Sequence, residues 1–376
     1  MQKENFKTFL KIILVLTFVY LFLVSIGLMG VAFKGFGKAF AENLIRTTSN
    51  PFIGLFIGIL ATSIVQSSST TTSIVVGMVG YNILTVGNAI PIIMGANIGT
   101  TVTSTLVALG HVTRREEFRR AIAGATLHDF FKVMCVCIML PLELTTGFLE
   151  KIAHKMAILF SDFGGIKFTS PVKFATEPVI NFIESWIVKL NFTQSQHIIC
   201  IMLLIVSLAI LFFSLYYIVK LMKALVIGRV EIVLNNVIGK HGVLAMTAAL
   251  VFTAIIQSSS VTTSLMVPLV ASGIVTVESI YPIIMGANIG TTVTAMLASF
   301  ATGNISAISV AFVHFLFNVI AVAFIYPIKI MREIPLRLAK GLGNLAYKKR
   351  RYAMLFVAGM FFIIPGLMIF ISRFFK

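Results

Sequence analysis

Formal charge is scarce in this 376-residue chain, and acid is scarcer still. The chain has 13 Asp and Glu against 30 Lys and Arg, and charged residues are 11% of the whole, too few to cover the surface of a soluble domain of this length. Cysteine is nearly missing. The three present, Cys135 and Cys137 on one apolar run and Cys200 on another, are odd in number and apolar in setting. They read as small packing residues, not as disulfides or metal ligands. No cluster of His, Cys, Asp and Glu has metal-ligand spacing, so no transition-metal site is expected. A "GxSxG" elbow is also missing. The adjacent His128 and Asp129 diverge by ~100° around a helix and cannot form a dyad with each other. These gaps argue against an enzyme, including an intramembrane serine hydrolase.

What the chain has is oil. Hydrophobic residues make up 58% of it, with a mean hydropathy of +1.00. The runs 9–31, 198–219, 309–327 and 353–371 reach the ~20 residues that span ~30 Å of hydrocarbon. They are continuous, not alternating, which excludes a β-barrel. The prediction is an all-α polytopic membrane protein surrounded by lipid. The first run has Lys3 and Lys7 before it and Lys11 at its start, but it is too long for a signal peptide and lacks a convincing cleavage site, so it is kept as a helix. The net charge of +17 sits in short linkers, a positive-inside pattern and not a nucleic-acid surface. Clusters at 114–120, 220–240 and 329–351, the last with 8 Lys/Arg against one Glu, are expected to face the cytoplasm with the N-terminus. Residues 161–195, irregular and polar with three Lys and three acids, read as the main outside loop.

The chain is duplicated. Aligned at an offset of 191 without gaps, 61–105 and 252–296 agree at 27 of 45 positions, and 13 are consecutive: "PIIMGANIGTTVT" at 91–103 and 282–294. A weaker echo follows each copy, "HDFFKV" at 128–133 and "HFLFNV" at 314–319. The chain therefore divides into halves 1–160 and 196–376 joined by 161–195. Duplicated halves characterise secondary transporters, which hold substrate between repeats near the bilayer midplane. A basic cluster at 111–120 follows the first copy, whereas 301–308 after the second carries no charge. By the charge rule these ends lie on opposite sides, and the repeats are expected to be inverted.

Each copy interrupts its oil with a polar run, "IVQSSSTTTSIVV" at 64–76 and "IIQSSSVTTSLMV" at 255–267. Residues 51–84, with Asn50 as N-cap before Pro51, would make a straight helix of ~51 Å, too long for a bilayer. The run fits better as a re-entrant hairpin turning at "QSSS", with the tip buried or wet and a half-helix pointing its positive end inward. "GANIGTT" reads as a helix break. Gly95 and Gly99 flank Asn97, and Gly286 and Gly290 flank Asn288; glycine lets the backbone open and another chain come close. Freed carbonyls with the oxygens of Asn97, Thr100, Asn288, Thr291 and Thr294 suit Na+. The competing reading is packing, with Ser and Thr bonding back to the preceding turn. It serves for an isolated hydroxyl but not for two matched pairs of motifs. The site carries almost no formal charge, unlike a cation pore or an Arg-clamped carboxylate site. A tetrahedral oxyanion held by Gln66, Ser67, Ser68 and Ser69 with Gln257, Ser258, Ser259 and Ser260 fits, with Na+ as coupling ion and countercharge. Sulfate, a dicarboxylate or an anion channel stay open as alternatives.

At "QSSSTTTSIVVGMV", "IPIIMGANIGTTVT", "EFRRAIAGATLHDFFKV", "QSSSVTTS" and "PIIMGANIGTTVTAML" the chain resembles the type II sodium-dependent phosphate cotransporter family. The resemblance implies Na+-coupled uptake of inorganic phosphate through inverted repeats, two re-entrant hairpins and two unwound helices. It implies phosphate contacts at Ser67, Ser68, Ser258 and Ser259. One sodium site maps onto Gln257, Ser258, Thr291 and Thr294, and a second involves Asp129. It further implies an elevator-like motion and a homodimer of independent protomers. The chain departs from the family pattern at Lys132, commonly Asn in relatives, and at "HVTRR" (111–115), where many have the Gln and Asp of a further sodium site. Both count against a third site. The large outer loop and long tails of animal relatives are missing, which points to a bacterial inner membrane, and Asn191-Phe192-Thr193 reads as an accidental sequon. An ionised Asp129 inside a span is functional by default; its structural alternative is an ion pair with Lys132 at i+3. His128 and His314 read as interface residues.

Overall fold

A computed structural model describes residues 2–162, 171–190, 195–237, 242–372 and 374. Every regular element among them is helical, and seven spans are long and apolar enough to cross a membrane, including all four runs picked out by hydropathy. The all-α polytopic fold class is as expected.

Helix α1 (Gln2–Gly35) is followed by the short α2 (Lys38–Thr48), which meets α3 (Pro51–Val65) at 100°. Asn50 makes that corner. Its side chain accepts from the amides of Phe52 at 2.9 Å and Ile53 at 3.4 Å, and Pro51 occupies the first turn, where its missing N–H has no bond to lose. Helix α4 (Ser68–Gly80) folds back from α3, and the chain turns again at Tyr81 and Asn82, the latter with φ 61°. Helices α5 (Val86–Gly99) and α6 (Val102–Leu109) follow, then the 32-residue α7 (Arg115–Thr146) and α8 (Phe148–Asp162). Gly147 adopts φ 60° between the last two, and the Glu143 carboxylate accepts from the amides of Leu149 and Glu150.

The segment 161–195 holds more order than its composition suggests. It contains α9 (Pro171–Leu190), held on α1 by a hydrogen bond of 2.9 Å from the Tyr20 hydroxyl to the Ala175 carbonyl. The sequon at 191–193 lies outside the described residues. Helix α10 (Gln196–Val237) packs along α1, and α11 (Gly242–Ile256) and α12 (Ser259–Ala271) form a second hairpin. Helices α13 (Val277–Gly290), α14 (Val293–Thr302), α15 (Ile305–Ile325), α16 (Lys329–Lys348), α17 (Arg351–Ala358), a π turn over Gly359–Ile363, and α18 (Ile364–Ile371) complete the chain.

One apolar core runs through both copies. Leu55, Met94 and Phe131 share it with Phe252, Met285 and Phe317, and the Phe131 and Tyr281 rings meet edge to face at 5.8 Å. The outer helices expose Phe9 on α1 and Phe370 on α18, as lipid-facing surfaces do. Cys135 and Cys200 are buried and free, as packing residues should be, while Cys137 is exposed.

The glycines of "GANIGT" do not open the backbone. Gly95 and Gly99 lie inside α5, and a Cβ on Gly95 would stand 2.0 Å from the Leu55 carbonyl oxygen of α3. Gly286 meets Met246 of α11 in the same way, also at 2.0 Å. Their use is close approach: α3 lies backbone to backbone on α5, and α11 on α13. The interruption falls one step later and is small. Thr100–Thr101 and Thr291–Thr292 keep right-handed helical angles. There the ladder tightens, with Thr101 N–H on the Ile98 carbonyl and Thr292 N–H on Ile289, both at 3.1 Å.

Candidate functional site

The two "QSSS" runs adopt one conformation. Gln66 and Gln257 each turn the chain through the left-handed region, with φ 57° and 61°. The serine after each is extended, Ser67 at φ −148° and Ser258 at φ −146°, and caps the returning helix. The Ser67 hydroxyl oxygen accepts from the Thr70 amide at 3.2 Å, and that of Ser258 from Val261 at 3.4 Å. Amides of a helix's first turn have no partner within it. At the tips those amides belong to Ser68 and Ser69, and to Ser259 and Ser260, each pair at the positive end of its helix.

The tips meet. The Ser69 hydroxyl donates to the Gln257 carbonyl at 3.1 Å and lies 3.2 Å from the Thr291 hydroxyl, so one side chain of the first copy touches both the hairpin and the broken helix of the second. A second crossing joins Ser104 of α6 to Thr263 of α12 at 2.8 Å. Between the tips and α10 lies a cavity of about 500 Å³, whose polar lining includes Gln66, Ser67, Ser69, Thr70, Gln257 and Ser258. At ~30 Å³ per water, it has room for a small hydrated anion. Among the described residues no acid lines it; Lys220 and Lys223 do, and Phe212, Leu215 and Val219 of α10 give it an apolar wall. Ser68 and Ser259 are buried behind the tips, where their carbonyls accept from Thr72 and Thr263. Ser260 does not line the cavity.

The candidate sodium ligands divide into two groups. Gln257 Oε1 and Thr294 Oγ1 are buried without a hydrogen-bond partner, and Thr291 is 3% exposed. Buried oxygens left without a hydrogen-bond donor are the kind of ligand a hard cation takes. Asp129 is likewise fully buried, with Oδ2 accepting from Thr105 at 3.2 Å and Oδ1 unpartnered. The other group is already engaged. Thr100 bonds back to the Ala96 carbonyl at 3.0 Å, the packing behaviour. Asn288 Oδ1 lies 2.8 Å from His128 Nε2, an interface bond as read for that histidine. Asn97 Oδ1 accepts from Lys132 Nζ at 2.8 Å. Among the described residues no ion pair joins Lys132 to Asp129.

A family profile described as Na+/Pi-cotransporter matches residues 21–166 and 210–370. The chain belongs to this cotransporter family. Curated relatives agree. It is 36% identical to the sodium-dependent phosphate transport proteins 2B of Pongo abelii and Homo sapiens, over 94% of this chain and 64% of theirs. It is also 36% identical to protein 2A of Ovis aries, over 96% of this chain and 67% of that one. The chain thus spans about two thirds of the length of these relatives. No solved structure matches it.

In this family member, sequence reasoning missed the contribution of α10. Lys220 and Lys223 were assigned only to a basic cluster, yet they face the serine tips across the cavity. Lys220 also sits over the rings of Tyr216 and Tyr217, at 5.6 and 5.5 Å. The signal available was position: both lysines close the most apolar run of the chain, within reach of whatever that run packs on.

Proposed function

We propose that the chain is a secondary active transporter coupling Na+ influx to uptake of inorganic phosphate. Phosphate is held at the hairpin tips by Gln66, Ser67, Ser69 and Ser258 with the amides that open α4 and α12. Sodium is held by Gln257, Ser258, Thr291 and Thr294, and at Asp129. The observation that carries this reading is the Ser69 contact with Gln257 and Thr291, beside a cavity whose polar wall, among the described residues, is hydroxyls, side-chain amides and lysine without an acid, facing an apolar wall from α10. Such a lining attracts an anion, holds it with neutral dipoles, and leaves the anion poorly balanced until cations fill the orphaned oxygens nearby.

In this reading the halves 1–160 and 196–376 are inverted repeats, and the site lies at their interface. The basic clusters and the N-terminus face the cytoplasm of a bacterial inner membrane. Because Lys220 and Lys223 of the 220–240 cluster line the cavity, it opens inward. The tight α3–α5 and α11–α13 pairs move as blocks in an elevator-like cycle, and protomers of a dimer work independently.

Radiolabelled phosphate uptake into proteoliposomes, with and without an inward sodium gradient, tests this. Saturable uptake that needs sodium and is lost in Thr294→Ala is expected. Uptake indifferent to sodium would indicate a channel, and full competition by sulfate or a dicarboxylate would replace phosphate as the cargo.

A further inference from the structure

Lys132 is 1% exposed. Its ammonium donates to Asn97 Oδ1 at 2.8 Å and Asn318 Oδ1 at 2.5 Å, and lies 5.6 Å from the centroid of the Phe317 ring. An ammonium has three N–H groups and no acceptor; two amide oxygens and an aromatic face therefore use its whole donor set. Among the described residues no carboxylate shares in this. The nearest acid along α7, Asp129, turns Oδ2 to Thr105, and none of the ion pairs among the described residues includes Lys132. A positive charge buried without a countercharge is costly, so its presence in the middle of a transport protein calls for a use.

The surroundings are arranged for a cation. Asn97 Nδ2 donates to the Ile93 carbonyl and Asn318 Nδ2 to the His314 carbonyl, each at 2.9 Å, which holds both amide oxygens toward Lys132. The two amides come from different halves of the chain. In the repeat at offset 191 Asn97 matches Asn288, and in the echo of "HDFFKV" by "HFLFNV" Lys132 matches Asn318. The second copy thus has an amide where the first has the charge, and its Asn288 oxygen meets an imidazole instead. Neutral oxygens converging from both halves are the ligands a sodium ion takes.

We infer that the Lys132 ammonium is a tethered substitute for a coupling cation. It fills an oxygen-lined position between the halves with a charge that stays in the protein, so each phosphate is carried with one sodium ion fewer than an amide at 132 would require. This rests on the sodium-coupled reading above. The fixed charge helps to balance the anion in every state, but adds nothing to the driving force, because it never crosses the membrane.

The test compares the full chain with Lys132→Asn and Lys132→Arg in proteoliposomes, measuring labelled sodium and labelled phosphate together. Lys132→Asn is expected to raise the ratio by about one sodium per phosphate and to steepen the sodium dependence, while Lys132→Arg keeps the wild-type ratio. An unchanged ratio in an active Lys132→Asn protein overturns the inference. Should that variant not transport, its unfolding temperature in detergent, in sodium chloride against choline chloride, decides. A sodium-dependent rise larger than that of wild type supports the substitution, and an equal or smaller one refutes it. If Lys132→Asn does not fold, Lys132→Gln takes its place in both measurements. If wild type itself moves no phosphate on a sodium gradient, the proposed function falls, and sodium stabilisation alone judges Lys132.

Discussion

Replacing Gly95 with alanine adds one methyl group where a backbone already stands. The new Cβ would lie 2.0 Å from the Leu55 carbonyl oxygen and 3.0 Å from the Ile59 amide nitrogen. Both atoms belong to the hydrogen-bonded backbone of α3 and cannot turn aside as a flexible side chain would. Restoring a contact of 3.4 Å requires α3 and α5 to part by about 1.4 Å, the difference between the two distances. Alanine gains ~1 kcal/mol over glycine in helix propensity, whereas overpacking costs ~1–3 kcal/mol or more. The expected net effect is a loss of up to ~2 kcal/mol and, for a chain of 376 residues, a Tm lower by up to ~3 °C. Function suffers more, because α3 carries the first tip. A displacement of that size takes Ser69 out of reach of Gln257, now 3.1 Å away, and uptake should fall by more than about tenfold. Gly286→Ala, facing the Met246 oxygen at 2.0 Å, should behave alike. Gly341→Ala is the control: nothing lies within 4 Å of its Cβ on α16, and it should be neutral or stabilising. Thermal unfolding in detergent and phosphate uptake are measured on all three. A Gly95→Ala protein with wild-type Tm and uptake would refute the close-packing argument.

Three other expectations follow from the site. Gln257→Gly relieves ~1 kcal/mol of left-handed backbone cost but removes an orphaned buried oxygen, so Tm should hold or rise while sodium-driven uptake drops about tenfold; wild-type uptake removes Gln257 from the ion site. Lys220→Ala with Lys223→Ala should raise the apparent KM for phosphate several-fold at low ionic strength, with the effect fading once the Debye length shrinks to ~8 Å. An unchanged KM at low salt counts against an electrostatic vestibule. Asp129→Gly is expected to abolish net charge movement while leaving some electroneutral uptake, and unaltered steady-state currents in the variant would defeat that role.

Much of this is legible in the sequence, for reasons that differ by residue. The spans read directly from hydropathy because lipid tolerates little else along 20 residues. The hairpin corners were legible because "QSSS" breaks an apolar run twice in the same register. Asn50 was legible because its capping acts over three residues. Helix α9 was not: Pro171, Pro178 and scattered charge hide an amphipathic helix whose formation depends on docking against α1. The glycines of "GANIGT" were read partly for the wrong purpose, since an opened backbone and a crowded one leave the same letter in the chain. Lys132 shows the limit most clearly. A partner three residues away on the same helix was the local candidate, yet its bonds go to Asn97 and Asn318, 35 and 186 positions distant. Only the tertiary fold brings these residues together.

The link between the hairpin tips has a consequence for how such a protein could be governed. Among the described residues, the hydrogen bonds from the first tip to the second copy's tip and helix break run through one hydroxyl, that of Ser69. Two neutral bonds of ~1 kcal/mol each contribute only about a thirtyfold preference for this arrangement, beside the Ser104–Thr263 bond and the apolar core that both copies share. A ligand that binds one arrangement tenfold better shifts the balance by ~1.4 kcal/mol, so occupancy, and not the resting stiffness of the tips, can decide how often they separate.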